Sequence, residues 1–175
     1  MSFDDIVVAQ SKVIPDVTII EPSVFTDDRG SIYTSFLEPV VQKYIPRGLS
    51  FKHDKFSMSK KEVLRGLHGD ANTWKLVSCV YGKIFQVVVD MRPNSRTFLK
   101  YVTFDLDGKN NKSILIPPMF ANGFQVLSED AVYHYKLAYS GEYQDADQQF
   151  VVKWNDPRLN IEWPGVSPIL QKRDK

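Results

Sequence analysis

The sequence has 175 residues and a mass of 20.1 kDa, so residues 1–175 are expected to form a single domain. Area scaling gives such a chain roughly 8,700 Å² of folded surface against roughly 29,000 Å² unfolded, enough burial for a core without disulfides or a structural metal. The 22 Lys and Arg nearly balance the 21 Asp and Glu, and the formal charge of +1 excludes a nucleic-acid module built on a broad basic surface, though not a small anion site.

The 11 Phe, 8 Tyr and 3 Trp, with 10 Pro and 9 Gly, favour a β-rich domain. The N-terminal Met-Ser-Phe-Asp-Asp-Ile has no basic region and no apolar stretch of the kind that targets a chain for export. No run approaches the roughly 20 apolar residues of a membrane helix, so a cytoplasmic location without a membrane partner is expected. Residues 17–20 read as a strand ending at Glu21-Pro22. Asp27-Asp-Arg-Gly30 is a turn, and 31–36 a second strand. A short helix is expected over 38–44, stopped before Pro46-Arg-Gly48. Residues 76–80 and 84–89 flank Tyr81-Gly82-Lys83 as a hairpin. Residues 101–106 and 113–116 flank Asp107-Gly-Lys-Asn-Asn111 as another. Strands over 131–137 and 149–153 follow. Many short strands at close spacing mean a sandwich or barrel. Val87-Val-Val89 is continuously apolar, so its strand is expected to be covered on both faces. Cys79, the only cysteine, lies within a strand and reads as a buried structural thiol.

The only histidines are His53, His68 and His134, and a general base working near neutral pH has few other candidates. His68 lies in Val63-Leu-Arg-Gly-Leu-His-Gly-Asp70. In an extended segment Leu64, Gly66, His68 and Asp70 share one face, with Arg65 and Leu67 on the other unless a bulge intervenes. Arg65 and the nearby Lys75 supply an anion site and a stabiliser for developing negative charge. On the strand at 131–137, Tyr133 and Tyr135 share a face that excludes His134. Asp174, one residue from the end, reads by itself as a solvated charge. His68-Gly-Asp70 also matches part of a two-His, one-carboxylate metal site, but the partner histidine and a His-x-His pair are missing, so no metal is expected. Phosphate-loop, dinucleotide and nucleophile-elbow motifs are absent.

Taken in order, several blocks resemble the dTDP-4-dehydrorhamnose 3,5-epimerase family. They are Glu21-Pro-Ser-Val-Phe25, Asp28-Arg-Gly30, Val63-Leu-Arg-Gly-Leu-His68, Lys75-Leu-Val77, Val89-Asp-Met-Arg92, residues 117–124 with Val126-Leu-Ser128, Tyr135-Lys136, Trp154-Asn-Asp156, Ile161-Glu-Trp-Pro164 and Arg173-Asp174. The resemblance spans roughly residues 13–174. It implies an all-β cupin-type jelly roll with a few short helices, a homodimer, and cofactor-free epimerisation at C3, C5 or both of a nucleotide-diphosphate 4-keto-6-deoxy sugar. By the same resemblance His68 is the base, Asp174 orients and polarises it, Tyr135 is the acid on the opposite ring face, and Lys75 lies near the enolate oxygen. Arg65 contacts the diphosphate, and Phe25 and Arg29 lie on the nucleotide side, Arg29 reaching a neighbouring subunit.

The departures from the family pattern point to an altered substrate. An aromatic and Gln after the base are here Gly69-Asp70, and a second histidine is Asn122, which hydrogen-bonds but does not titrate. The acidic position after Arg-Gly is Thr34. His53-Asp-Lys-Phe-Ser57 replaces Gln-Asp-Asn-His-Ser, making His53, with Asn122, a substrate-binding candidate. These changes favour a GDP-linked 4-keto-6-deoxy-heptose for capsule or lipopolysaccharide synthesis, with dTDP-4-keto-6-deoxy-glucose as the other substrate, and leave double epimerisation open. A non-catalytic sugar-binding jelly roll, a metal-dependent cupin using His68 and Asp70, and a 3,4-ketoisomerase are the competing readings.

Overall fold

Two antiparallel sheets face each other in a computed structural model that describes residues 5–175. The part of the N-terminal reading that falls on residues 1–4 lies outside the described residues. The first sheet contains β1 (Ile6–Gln10), β2 (Thr18–Pro22), β5 (Phe51–Lys60), β7 (Trp74–Tyr81), β10 (Ser113–Ile116) and β12 (Asp130–Ala138), in the order β1-β2-β10-β7-β12-β5. The second contains β6 (Leu64–Gly69), β8 (Lys83–Asp90), β9 (Tyr101–Asp107), β11 (Phe120–Val126) and β13 (Phe150–Val151), in the order β13-β6-β11-β8-β9. A separate ribbon pairs β3 (Val24–Asp27) with β4 (Gly30–Tyr33). The expected helix is one turn, α1 (Glu38–Val41), continued by a 3-10 turn at Gln42–Tyr44. The chain is all-β, of cupin-type jelly-roll architecture.

Alternation along the strands creates three apolar layers. Val77, Cys79, Ile114 and Ile116 of the first sheet meet Ile84, Val88, Leu106 and Phe124 of the second in the central core. Outside the first sheet, Leu76, Leu115 and Ala138 pack against Val41 and Phe36. Outside the second, Leu67, Val87, Val89 and Ala121 are covered by Val152, Leu159 and Trp163 of the C-terminal segment. Val87, Val88 and Val89 are therefore all inaccessible, as their apolar run requires. Cys79 is buried, and burial pushes its thiol up to about 11.

Both expected hairpins are absent. β7 pairs with β10 and β12, whereas β8 pairs with β11 and β9. Gly82, at φ +75°, carries the chain from one sheet to the other. β9 and β10 likewise lie in different sheets. A tight polar turn between two strands has the same local chemistry in a hairpin and in an inter-sheet crossing. The partner is chosen by which faces bury together.

Candidate active site

Residues of both sheets line a cavity of about 240 Å³. β5 and β12 contribute Ser57, Tyr133 and Tyr135, β7 contributes Lys75, and β6 and β11 contribute Arg65, His68 and Asn122. The loop that includes Tyr143 and Asp145, with Gln171 and Arg173 near the C-terminus, completes the rim.

Arg65 and His68 would fall on opposite faces of a regular strand, yet both reach the cavity while Leu67 points into the outer layer. The alternation is reset at Gly66. Its φ is +126°, and the β6–β11 register shifts between Asn122 and Phe124. A Cβ on Gly66 would lie 2.6 Å from the Cα of Gly123, so two glycines permit this close backbone pass. Asn122 pairs directly with His68 across the ladder, which places both side chains on the cavity side.

His68 Nε2 lies 2.6 Å from Asp174 Oδ1. Asp174 sits in a 3-10 turn at Lys172–Asp174 and is 1% exposed, so it is no solvated charge. Its Oδ2 accepts from Gln171 Nε2 at 3.1 Å and more weakly from the Gly66 amide at 3.4 Å. A carboxylate only accepts, so the ring proton is assigned to Nε2 and the lone pair to Nδ1. Burial, with the positive charges of Arg173 and Lys75, keeps His68 below the ordinary histidine range despite the opposing pull of Asp174.

Lys75 is buried, and that burial brings its ammonium down to about 8. Its Nζ lies 3.3 Å from Asn122 Oδ1 and 3.5 Å from the His68 carbonyl. Asn122 Nδ2 in turn lies 3.4 Å from the Tyr133 hydroxyl. Burial raises both Tyr133 and Tyr135, so each stays a neutral phenol at physiological pH. Arg65 donates to Ser59 Oγ at 2.9 Å. Lys55 donates to the Tyr143 hydroxyl at 3.0 Å.

His68, Lys75, Tyr135, Arg65 and Asn122 thus converge on one cavity, with Asp174 behind His68. The remaining candidates lie elsewhere. His53 stands outside the lining, its ring edge-on to Tyr143 at 4.8 Å. Phe25 is half exposed on β3, and Arg29, at the ribbon's tip, is paired with Asp27 at 2.6 Å. Neither lines this cavity. His134 faces outward against Asp54. The Oδ1 of Asp70 accepts from the Asn72 and Thr73 amides. A His68–Asp70 metal set is therefore not assembled, and the described residues contain no group of three His, Cys, Asp or Glu placed to hold a metal ion. No helix among the described residues is long and apolar enough to cross a membrane. Sequence reasoning missed Tyr143, Gln171 and the role of Arg173. They come from chain positions remote from the His68 block, and no local pattern marks them.

Residues 11–175 match the family model described as dTDP-4-dehydrorhamnose 3,5-epimerase. A dTDP-4-dehydrorhamnose 3,5-epimerase of Shigella flexneri is 42% identical over 164 residues, which cover 92% of this chain and 89% of the relative. The fold is similar to that of the Legionella pneumophila dTDP-6-deoxy-D-glucose-3,5-epimerase in complex with dTDP-4-keto-L-rhamnose. The TM-score is 0.89 at 36% identity, covering 97% of this chain and 90% of that one. It is also similar to ChmJ, a 3'-monoepimerase of Streptomyces bikiniensis in complex with dTDP-quinovose. Here the TM-score is 0.84 at 27% identity, covering 95% and 84%.

Proposed function

This chain belongs to the dTDP-4-dehydrorhamnose 3,5-epimerase family and is an isomerase acting on nucleotide sugars; from that premise we propose that it epimerises a dTDP-linked 4-keto-6-deoxy sugar, inverting C3 and, where the site permits, C5. The relatives named above act on or bind dTDP sugars, and the GDP-heptose expectation draws no support from them.

The carrying observation is the placement of His68 between a buried carboxylate and the cavity that Lys75 and Tyr135 also line. A ketone at C4 acidifies the protons on C3 and C5. His68 Nδ1 takes one of them, and the electrons move onto the C4 oxygen. Asp174 holds the ring and stabilises the imidazolium that forms. The Lys75 ammonium stabilises the enolate oxygen. Tyr135, protonated because it is buried, returns a proton from the other face and inverts the carbon. Asn122 supplies a neutral hydrogen bond beside Lys75.

A cavity of about 240 Å³ lies below the roughly 300–1,000 Å³ of sites that enclose a whole drug-sized ligand. It suits the sugar ring and leaves the nucleotide at the mouth. We assign that part to Arg65 and to Arg29 and Phe25 of a second copy, with His53 supporting the rim through Tyr143. A homodimer is supported by the exposed Phe25 and Ile32 of the ribbon and by Phe56 and Met58 on the edge strand β5.

The test is incubation with dTDP-4-keto-6-deoxy-glucose, and separately with a GDP-linked 4-keto-6-deoxy-heptose, in D₂O followed by NMR. Deuterium should enter C3 of the dTDP sugar. Deuterium at C5 as well means two inversions, and its absence means one. No exchange in any 4-keto sugar overturns the reaction and leaves a binding module.

A further inference from the structure

The Arg173 guanidinium lines the cavity but takes no part in the steps above. With Asp174 on Nε2, Nδ1 carries the only lone pair of the neutral His68 ring, and so is the only atom of that ring able to accept a proton. That lone pair is already engaged, because Arg173 Nη2 lies 3.0 Å from Nδ1. A guanidinium has donors alone. Once Nδ1 carries a proton, two donors face each other, so a protonated His68 and Arg173 in this position exclude one another. His68 cannot accept the sugar proton until Arg173 has moved.

Arg173 is also loosely held. Nη1 donates to the Ala146 carbonyl, but Nε is buried with no hydrogen-bond partner among the described residues, and the nearest oxygen of Asp174 lies 3.9 Å from it. Of its five N–H groups two are engaged among the described residues, which leaves donors that an anion can draw away from His68. The side chain remains 30% exposed at the cavity rim. The other charged or titratable groups around the cavity are Asp174 behind His68, Lys75 on β7, Arg65 on the strand of His68, Lys55 on β5, Tyr133 and Tyr135 on β12, and Tyr143 and Asp145 on the loop.

Resting on the reaction proposed above, we propose that Arg173 is a positioning residue that caps the Nδ1 of His68 in the ligand-free protein and is drawn off it by the diphosphate of the incoming substrate, so that the base is uncovered only when a substrate is in place.

Long-range ¹H–¹⁵N NMR of the histidine rings, on the whole protein without substrate, tests the cap. His68 should show a protonated Nε2 and an unprotonated Nδ1, and should titrate below the ordinary value of 6.5. Adding dTDP alone should move the Nδ1 resonance. In Arg173→Met the titration should move to higher pH, as should the acid limb of kcat/KM, and dTDP should no longer shift Nδ1. A proton on Nδ1 in the wild type, or the same titration in wild type and Arg173→Met, overturns the cap. An Nδ1 resonance that ignores dTDP overturns the release. The wild-type tautomer and its response need no variant, so a misfolded Arg173→Met does not remove the test. None of these ring readings needs turnover, so failure of the cap and failure of the epimerase reaction are told apart.

Discussion

At His68 the ring is fixed by contacts that span more than half of the chain, with Asp174 lying 106 residues away in sequence. The short hydrogen bond that Nε2 donates to a fully buried carboxylate fixes the tautomer and stabilises the imidazolium formed during turnover. Asp174→Asn preserves the shape but removes the negative charge and allows the wrong tautomer. We expect hydrogen exchange at the sugar carbon to fall about 10²–10⁴-fold, the range of a positioned acid–base group, while the circular dichroism spectrum stays that of the wild type. An exchange rate within a few-fold of the wild type would show that Asp174 serves only packing. The block Arg65-Gly-Leu-His68 and the tyrosine pair were legible in the sequence because each is local. Asp174 was not legible from its own neighbourhood, where a carboxylate one residue from the end has every reason to be hydrated.

Among the elements, β6 departs most from its expected geometry. Gly66 adopts φ +126° and Gly123 passes so close that a Cβ on it would lie 2.5 Å from the Arg65 carbonyl oxygen. Gly66→Ala adds both a strained backbone and a clash with an immovable main chain. It should cost roughly 2 kcal/mol or more, read as a lowered urea midpoint. It should also weaken activity beyond the loss of folded protein, because the bulge is what brings Arg65 and His68 to one cavity. A variant as stable and as active as the wild type would mean that the strand accommodates regular alternation. Near it, the ring of Phe150 on β13 packs directly against Gly69: a Cβ on Gly69 would meet Phe150 Cζ at 2.4 Å. The strands over 101–106 and 131–137 were predicted nearly in full, as β9 and β12. Their partners were not, because a polar turn looks the same whether the chain folds back or crosses to the facing sheet.

Over the whole molecule, buried titratable groups set how stability follows pH. The Lys75 ammonium titrates at about 8 in the fold against an ordinary 10.5, so above pH 8 the unfolded chain holds the extra proton and stability rises with pH. Cys79 acts in the opposite sense. Its thiol ordinarily ionises at 9.0 but is held up to about 11 in the fold, so stability falls above pH 9. The raised Tyr133 does the same from its ordinary 10.0 upward. His68, lowered in the fold, adds a rise as pH climbs toward 6.5. Between pH 8 and 9 Lys75 is the dominant shifted group. The unfolding free energy should then grow by about 1 kcal/mol before levelling off. Urea titrations across pH 7–10 check this, with Lys75→Met as the control. That variant should lack the rise, be more stable near pH 7 by about 2–3 kcal/mol, and lose exchange activity. A rise that persists in Lys75→Met would assign it to another group.

The sequence by itself determined the class of fold and the inventory of the chemistry. Periodicity and composition depend on neighbours along the chain, so the β-rich architecture, the doubly covered Val87–Val89 strand and the buried Cys79 could be read directly. His68, Lys75 and Tyr135 were marked instead by the resemblance of ordered motifs, and the fold brings them to one cavity. Tertiary structure alone decided which strands pair, how Gly66 and Gly123 reset the face of β6, and that the C-terminal turn sets Arg173 on the Nδ1 of His68; the place of Asp174 behind His68, which its own neighbourhood did not show, came from the resemblance. Those outcomes come from contacts between residues tens to more than a hundred positions apart. Their energies depend on burial and on the company each group keeps, which a one-dimensional pattern does not carry.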